Sequence, residues 1–197
     1  MQFFETILSM VTFTQNYTMS KTFAELGINL SLQENLSKLK ILVPTDIQSK
    51  TIPVILTQNE DVVALAKTGT GKTLAYGLPI LQLINSENSA VQALILAPTR
   101  ELSQQIYSNL TEYGSLNPAI KVTVVSGGIP IKPQIERLKT ASHILVATPG
   151  RILDLISRGA ISLKNVSSLV LDEADEMITN FKDDLERIIK EIPASHR

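Results

Sequence analysis

One glycine-rich segment, residues 66–73, restricts the possible folds of this chain more than any other stretch. Its sequence, Ala-Lys-Thr-Gly-Thr-Gly-Lys-Thr, follows an apolar run at 62–65 and precedes helix-compatible residues at 74–78. A strand, a loop and a helix in this order are the context that a phosphate-binding loop requires. Gly69 and Gly71 let the backbone turn and bring its N–H groups close to phosphate oxygens. The segment therefore predicts a nucleotide site.

The side chains of this loop support the same interpretation. Lys72 would neutralise the β- and γ-phosphates, and Thr73 would place its hydroxyl on Mg²⁺. The general pattern has glycine at the first position, so this loop is a variant. The alternative, a glycine-rich turn with a chance Lys-Thr pair, is disfavoured by the flanking strand and helix. The residues assigned to nucleotide binding here are Ala66, Lys67, Thr68, Gly69, Thr70, Gly71, Lys72 and Thr73.

Apolar runs alternate with amphipathic stretches along the chain. Candidate strands lie at 62–65, 94–96, 121–125, 144–146 and 169–171. Candidate helices lie at 31–40, from 45 onward with a bend at Pro53, and at 100–113, 130–139 and 151–158. This alternation predicts an α/β fold in which a parallel β-sheet carries helices on both faces. Ligands of such sheets bind at the carboxyl ends of the strands.

Size and charge restrict the domain count and the possible partners. The 197 residues suit one large domain, which we place at 21–197, with an N-terminal extension at 1–20 that we expect to be poorly ordered. The formal net charge of −1 means that any nucleic-acid contact must come from a local patch. Cysteine is absent, which is compatible with a reducing cytosol, and no apolar segment is long enough to span a bilayer.

A cluster of carboxylates follows the last candidate strand, with Asp172, Glu173 and Asp175 in four consecutive residues. Like charges crowded at a strand end are costly unless a cation balances them, so Mg²⁺ is the natural partner. Asp172 would hold the metal through water, and Glu173 would orient or deprotonate the attacking water. The alternative, a solvated acidic loop, is disfavoured because the same chain contains a phosphate loop. Lys72, Asp172 and Glu173 are the candidate catalytic residues, and Asp175 is assigned to the nucleotide site.

Five motifs together resemble the first RecA-like domain of DEAD-box RNA helicases. In order, they are residues 66–73, 98–102, 127–128, 148–151 and 172–175, and the resemblance extends from about Phe23 to the end of the chain. It implies a RecA-like P-loop domain with ATP and Mg²⁺ as cofactors and RNA as a partner. It also implies a cytoplasmic protein that is not attached to a membrane.

The resemblance further implies contacts with the RNA backbone. Arg100 and Arg151 can pair with phosphates, while threonine hydroxyls and N–H groups at helix starts can hydrogen-bond them, which gives salt-dependent and sequence-independent binding. Taken singly, each arginine is more simply an exposed surface charge, but their clustering at strand ends favours function. The implied RNA-binding residues are Pro98, Thr99, Arg100, Gly128, Thr148, Pro149, Gly150 and Arg151.

Thr45 and Gln48 belong to a segment that resembles the adenine-reading segment of the family. Gln48 would present its amide to the adenine edge, and Phe23 stands at the position of an isolated upstream aromatic. Core packing is an equally good interpretation of Phe23. Lys40 and Ile41 stand where the family usually has glycine and an aromatic that packs on adenine. Ile41 keeps an apolar contact with the base but loses ring stacking.

The family continues past the last residue of this chain with a strand carrying a Ser-Ala-Thr motif and then a second RecA-like domain. In the family's sheet, that strand pairs with the strand before the phosphate loop on one side and with the strand before Asp172 on the other. We therefore expect each of these two strands to lack one pairing partner in this chain. The resemblance implies that the second domain supplies arginines that stabilise the transferred phosphoryl group. Such an arginine accelerates related phosphoryl-transfer reactions by about 10³- to 10⁵-fold. We therefore expect this chain alone to bind nucleotide with little turnover and no duplex unwinding.

Two other function classes compete with this interpretation. A non-catalytic RNA-binding or protein-interaction module has no chemical need for Lys72 or Glu173. A helicase directed at DNA is disfavoured by residues 172–175 together with Gln48. The RNA acted on, the protein partners and the oligomeric state are not predicted by the sequence.

Overall fold

The computed structural model describes residues 21–57, 61–67 and 69–193. The extension expected at 1–20 lies outside these residues. The described part holds a parallel sheet and seven α-helices, which confirms the predicted α/β class. The helices are α1 (Leu30–Lys38), α2 (Asp46–Thr57), α3 (Lys72–Leu83), α4 (Arg100–Tyr113), α5 (Lys132–Leu138), α6 (Pro149–Ser157) and α7 (Ala174–Lys190). The strands are β1 (Ala93–Leu96), β2 (Val122–Val125), β3 (Ile144–Ala147) and β4 (Ser168–Leu171).

The sheet has the strand order β2-β3-β1-β4, and every neighbouring pair is parallel. In its centre, Leu94 aligns with Leu145 of β3 on one side and with Leu169 of β4 on the other. All four residues of β1 and of β3 are buried. Both faces of these strands are covered, which explains why they read as continuous apolar runs rather than as alternating ones.

Helices cover both faces of the sheet, and successive strand residues divide between two apolar cores. Ile95 faces a core with Leu78 of α3 and Ile106 of α4. Its neighbour Leu96 faces a second core with Ile152 of α6. The division follows from the twofold alternation of side chains along a strand. Helices α1 to α4 pack on the first face and α5 to α7 on the second.

The prediction of a strand at 62–65 was wrong. Residues 61–67 form no regular secondary structure, and the side chains of Val62, Val63 and Leu65 are 39%, 61% and 83% exposed. A strand is stable only when a neighbour pairs with its N–H and C=O groups. Within the described residues β4 pairs with β1 alone, and no strand pairs with its other edge. Apolar character without a pairing partner does not make a strand.

One helix start differs from the prediction, and the helix predicted to bend at Pro53 is continuous. Helix α1 begins earlier because Asn29, two residues before the expected cap, accepts the N–H of Leu32 at 3.0 Å. Asparagine caps a helix as well as serine does. Helix α2 continues through Pro53 to Thr57, whose hydroxyl donates to the Pro53 carbonyl at 2.6 Å.

Candidate functional site

The segments that carry the predicted site residues lie at one edge of the sheet. Helices α4 and α6 follow β1 and β3, residues 126–131 follow β2, and Asp172 follows β4. Because the four strands are parallel, their carboxyl ends lie on the same side. The predicted RNA-binding residues therefore lie at the ends of β1, β2 and β3, and the carboxylates lie at the end of β4.

The phosphate loop turns through two glycines in the left-handed region, with φ of 84° at Gly69 and 90° at Gly71. Inside the turn, the Lys67 carbonyl accepts the Thr70 hydroxyl at 2.7 Å. Helix α3 begins directly after Gly71, and no side chain of the described part caps it. Its first N–H groups and positive dipole end are therefore available to an anion. Thr68 lies outside the described residues.

Gln48 joins the predicted adenine-reading segment to the phosphate loop. Its amide oxygen accepts the Thr45 N–H at 3.0 Å, and its Nε2 donates to the Gly71 carbonyl at 3.1 Å. The Thr45 hydroxyl donates to the Thr70 carbonyl at 2.9 Å. A Cβ on Gly71 would lie 2.3 Å from Gln48 Nε2, so glycine is required for this close approach. Adenine reading by Gln48 stays a prediction.

Phe23 and Ile41 lie against the first core. Phe23 is 5% exposed and packs within that core, whereas Ile41 is partly buried against it. Core packing therefore accounts for Phe23, and an adenine contact by either residue stays a prediction. Lys40, where the family usually has glycine, has a φ of 60°.

The carboxylates at the end of β4 are held by backbone and side-chain donors. Asp172 is 7% exposed, and its N–H donates to the Leu96 carbonyl at 3.0 Å. Its Oδ1 accepts the Glu173 N–H at 3.0 Å, while its Oδ2 accepts the Tyr76 hydroxyl at 2.9 Å. Glu173 has a φ of 52° and directly precedes α7, and Asp175 lies in the first turn of that helix.

The structure brings the three candidate catalytic residues together. Lys72, the first residue of α3, places its Nζ 3.6 Å from Oε1 of Glu173. Glu173 follows Asp172 directly, so this ion pair forms at the residue next to the buried Asp172. Both partners of the ion pair are partly exposed, which leaves them accessible to a ligand.

Tyr76 is a site residue that the sequence interpretation missed. It lies on α3 three residues after Thr73, on the same helix face, and that spacing was the available signal. Burial raises the pKa of the Tyr76 hydroxyl well above its ordinary value, and the Asp172 charge raises it further, while a hydrogen bond with Thr73 offsets part of the effect. The hydroxyl therefore stays protonated and donates.

The donor set suits Mg²⁺ better than a metal held by protein ligands alone. Within the described residues no group of three or more His, Cys, Asp or Glu side chains could hold a metal ion. The candidates are the Thr73 hydroxyl and the Asp172 carboxylate, and Tyr76 donates its hydroxyl to the latter. Mg²⁺ usually keeps several waters and takes one or two such oxygens together with substrate phosphates. The two residues thus fit this ion when a nucleotide supplies phosphates.

The helix start after β1 presents polar groups to solvent. Thr99 caps α4 by accepting the Leu102 N–H on its Oγ1 at 3.2 Å. Thr99 and Arg100 are exposed, whereas Pro98 is buried. Gly128, in the loop after β2, is exposed and has a φ of 76°. This arrangement leaves a cation and a helix N-terminus facing outward.

The start of α6 is joined to the loop after β2. The Thr148 hydroxyl accepts the Gly127 N–H at 3.1 Å, and Nη2 of Arg151 donates to the Ile129 carbonyl at 2.9 Å. Arg151 is half-buried, and its Nη1 is buried without a hydrogen-bond partner in the described part of the chain. Pro149 is buried and Gly150 is exposed. Arg151 therefore hydrogen-bonds the loop after β2 from its position in the first turn of α6.

Comparison with known proteins identifies the family. The family model described as DEAD/DEAH box helicase matches residues 45–197. The chain belongs to the DEAD/DEAH box helicase family. Among curated relatives, the DEAD-box ATP-dependent RNA helicase CshA of Geobacillus kaustophilus is 45% identical over 177 residues, covering 89% of this chain and 38% of that protein. CshA of Streptococcus pneumoniae is 44% identical and covers 89% and 33%.

Solved structures of DEAD-box proteins have the same fold. A DEAD box protein from Methanococcus jannaschii superposes with a TM-score of 0.84 at 39% identity, covering 91% of this chain and 49% of that one. S. cerevisiae Dbp5 bound to RNA and ADP BeF3 gives 0.82 at 30% identity, covering 90% and 45%. The RecA-like fold implied by the motifs is confirmed. This family member thus spans between a third and a half of the length of these relatives.

No helix in the described part of this DEAD/DEAH box chain is both long and apolar enough to cross a bilayer.

Proposed function

We propose that this chain is the ATP- and RNA-binding part of an ATP-dependent RNA helicase. The observation that carries the proposal is the meeting of Lys72 with the carboxylates of β4, where its Nζ lies 3.6 Å from Glu173 Oε1. A cation at a helix start beside a partly exposed carboxylate suits the phosphates and the metal of a nucleotide. The relatives named ATP-dependent RNA helicases support the choice of nucleotide and nucleic acid.

The phosphate loop and its neighbours would bind the nucleotide. Lys72 leaves its pair with Glu173 for the β- and γ-phosphates, which carry more negative charge than one carboxylate. The N–H groups at the start of α3 hydrogen-bond the same oxygens. Gln48 holds the loop through Gly71 and uses its remaining amide N–H and lone pair for adenine.

Hydrolysis would use the carboxylates at the end of β4. Glu173, released from Lys72, orients the attacking water and accepts its proton. Thr73 and Asp172 would hold Mg²⁺, which supplies positive charge to the phosphate oxygens. We propose that turnover by this chain alone is slow, because a second RecA-like domain supplies the stabilising arginines. In the whole protein, closure of two domains would couple hydrolysis to RNA duplex unwinding in the cytoplasm.

RNA would bind along the ends of β1, β2 and β3. The N-termini of α4 and α6 follow neighbouring strands, so their positive dipole ends lie side by side. Exposed Arg100 adds a formal charge, and half-buried Arg151 adds a second one at the start of α6. The contacts involve backbone phosphates, so we propose binding without sequence preference.

Thermal unfolding with and without Mg-ADP tests this function. At about a hundredfold excess over the dissociation constant, ADP stabilises the fold by roughly 2.7 kcal/mol, a shift of several degrees. Lys72→Ala should lose most of that shift. Lys164→Ala, which removes an exposed lysine from the loop before β4, should keep it.

The outcomes separate the function classes. A shift that Lys72→Ala alone abolishes supports a nucleotide-binding helicase domain. A cooperative transition that Mg-ADP does not move would contradict the proposal and favour a non-catalytic RNA-binding or interaction module. Equal shifts in the two variants would exclude Lys72 from the phosphate site.

A further inference from the structure

Tyr76 contacts the site without belonging to any of the motifs. It lies one turn into α3, and its ring packs against the first core while its hydroxyl reaches the end of β4. Tyr76 Oη donates to Asp172 Oδ2 at 2.9 Å, across 96 positions of sequence. The helix that begins at the phosphate loop is therefore tied to the strand that carries Asp172.

The two oxygens of the Asp172 carboxylate each have one donor. The Glu173 N–H occupies Oδ1 at 3.0 Å, and the Tyr76 hydroxyl occupies Oδ2 at 2.9 Å. Two donors from opposite directions fix the plane of the carboxylate, which a single donor cannot do. An ionised carboxylate has about four lone-pair positions, so acceptor capacity remains for a metal or for its bound water.

We propose that Tyr76 is a positioning residue for Mg²⁺, because its hydroxyl holds the Asp172 carboxylate in the orientation that receives the ion. This inference rests on the proposed nucleotide-binding function. Mg²⁺ requires near-ideal octahedral geometry and loses its waters reluctantly, so it is sensitive to the orientation of its ligands. Partners that orient metal ligands typically change metal affinity by about 10- to 100-fold when they are removed.

Tyr76 lies on the same helix as Thr73 and is hydrogen-bonded to Asp172, the other candidate metal-binding residue. It lies three residues after Thr73 on one face of α3, and its hydroxyl reaches Asp172 on β4. One aromatic side chain thus connects the helix that follows the phosphate loop to Asp172. A phenylalanine at this position would keep the ring in the core and lose only the hydroxyl.

The test measures how ADP binding by this chain depends on Mg²⁺. Fluorescently labelled ADP is titrated at a series of Mg²⁺ concentrations, starting in EDTA, and the Mg²⁺ midpoint is compared between the native chain and Tyr76→Phe. We expect the midpoint to rise about 10-fold in Tyr76→Phe. ADP affinity in EDTA should not change. Tyr113→Phe is the matched control, since Tyr113 is partly buried against the same core and ends α4 outside the site.

Calcium distinguishes positioning from a general structural effect. Ca²⁺ accepts six to eight ligands in flexible geometry, so ADP binding in Ca²⁺ should be weakened less by Tyr76→Phe than binding in Mg²⁺. Equal weakening with both ions would assign Tyr76 a purely structural role and overturn the proposal. An unchanged Mg²⁺ midpoint would overturn it as well. If the native chain binds no ADP under any condition, the proposed function fails and this inference fails with it.

Discussion

At the scale of single residues, Lys40 shows that a residue other than glycine can end a helix in the left-handed region. Helix α1 ends in a motif where the Ile41 N–H donates to the Leu36 carbonyl at 2.9 Å and the Lys40 N–H to the Ser37 carbonyl at 3.1 Å. In that pattern the first residue after the helix C-cap, here Lys40, lies in the left-handed region and is usually glycine. Lys40 adopts it with a φ of 60°.

Lys40→Gly should therefore stabilise the chain. A left-handed conformation costs an L-residue roughly 1–2 kcal/mol, and the greater freedom of glycine in the unfolded chain offsets part of the gain. We expect a net increase of about 0.5–1 kcal/mol in the free energy of unfolding, measured by urea denaturation. Lys38→Gly, in the last turn of α1, should lower it by about 1 kcal/mol. A less stable Lys40→Gly variant would contradict this account of the turn.

The two loop glycines separate backbone strain from close contact. Both have φ near 90°, but a Cβ on Gly69 meets nothing within 4 Å, whereas one on Gly71 meets Gln48 Nε2 at 2.3 Å. Gly69→Ala should cost about 1–2 kcal/mol of stability from strain alone. Gly71→Ala should cost a further 1–3 kcal/mol or so, because it also displaces Gln48. Equal losses in urea denaturation would show that the Gln48 contact contributes nothing.

At the scale of elements, segment 62–65 exposes apolar side chains, and the outer edge of β4 has no paired strand among the described residues. Leu65 is 83% exposed in this segment, although its sequence is as apolar as that of β1. Unpaired strand edges and exposed apolar chain both favour association with other chains. The core strands are instead buried from both faces.

Val63→Lys should leave stability unchanged and reduce self-association. Val63 is 61% exposed, so the free energy of unfolding should move by no more than about 0.5 kcal/mol, while the added charge disfavours intermolecular pairing. The same change at fully buried Val146 should prevent folding, because it buries an unpaired charge. Urea denaturation and light scattering test both variants. A loss of several kcal/mol in Val63→Lys would mean that this segment is a buried strand.

At the scale of the whole molecule, the parallel sheet places the polar segments that follow its four strands along one edge. A net charge of −1 provides no attraction for RNA over the whole surface, so binding depends on the few cations at that edge. Arg100 is exposed at the start of α4, whereas Arg187 lies in the last turn of α7 beside Asp184. Helix α7 begins at the same edge, and Arg187 lies about 20 Å further along that helix.

Arg100→Gln should weaken RNA binding and reduce its salt dependence. Each phosphate contact contributes close to one unit to the slope of log K against log salt concentration, so the slope should fall by about 1. Arg187→Gln should leave the slope unchanged. Single-stranded RNAs of different sequence, titrated over a range of KCl concentrations, should all give the same change. An unchanged slope in Arg100→Gln would remove this residue from the RNA site.

Local patterns in the sequence were enough to predict most of the elements. The strands at 94–96, 144–146 and 169–171 and the helix after the phosphate loop follow from apolar runs and turn residues, which act over a few positions. The grouping of motifs at one edge follows from parallel strands, which alternation with helices already predicts.

Only the tertiary structure decided which groups meet. Segment 62–65 has the composition of a strand but lacks a pairing partner among the described residues, and pairing depends on residues far away in sequence. The bond from Tyr76 to Asp172 joins residues 96 positions apart, and the one from Arg151 to Ile129 spans 22. Periodicity reports which face a residue occupies, whereas the packing of helices on the sheet determines which polar groups come within hydrogen-bond distance.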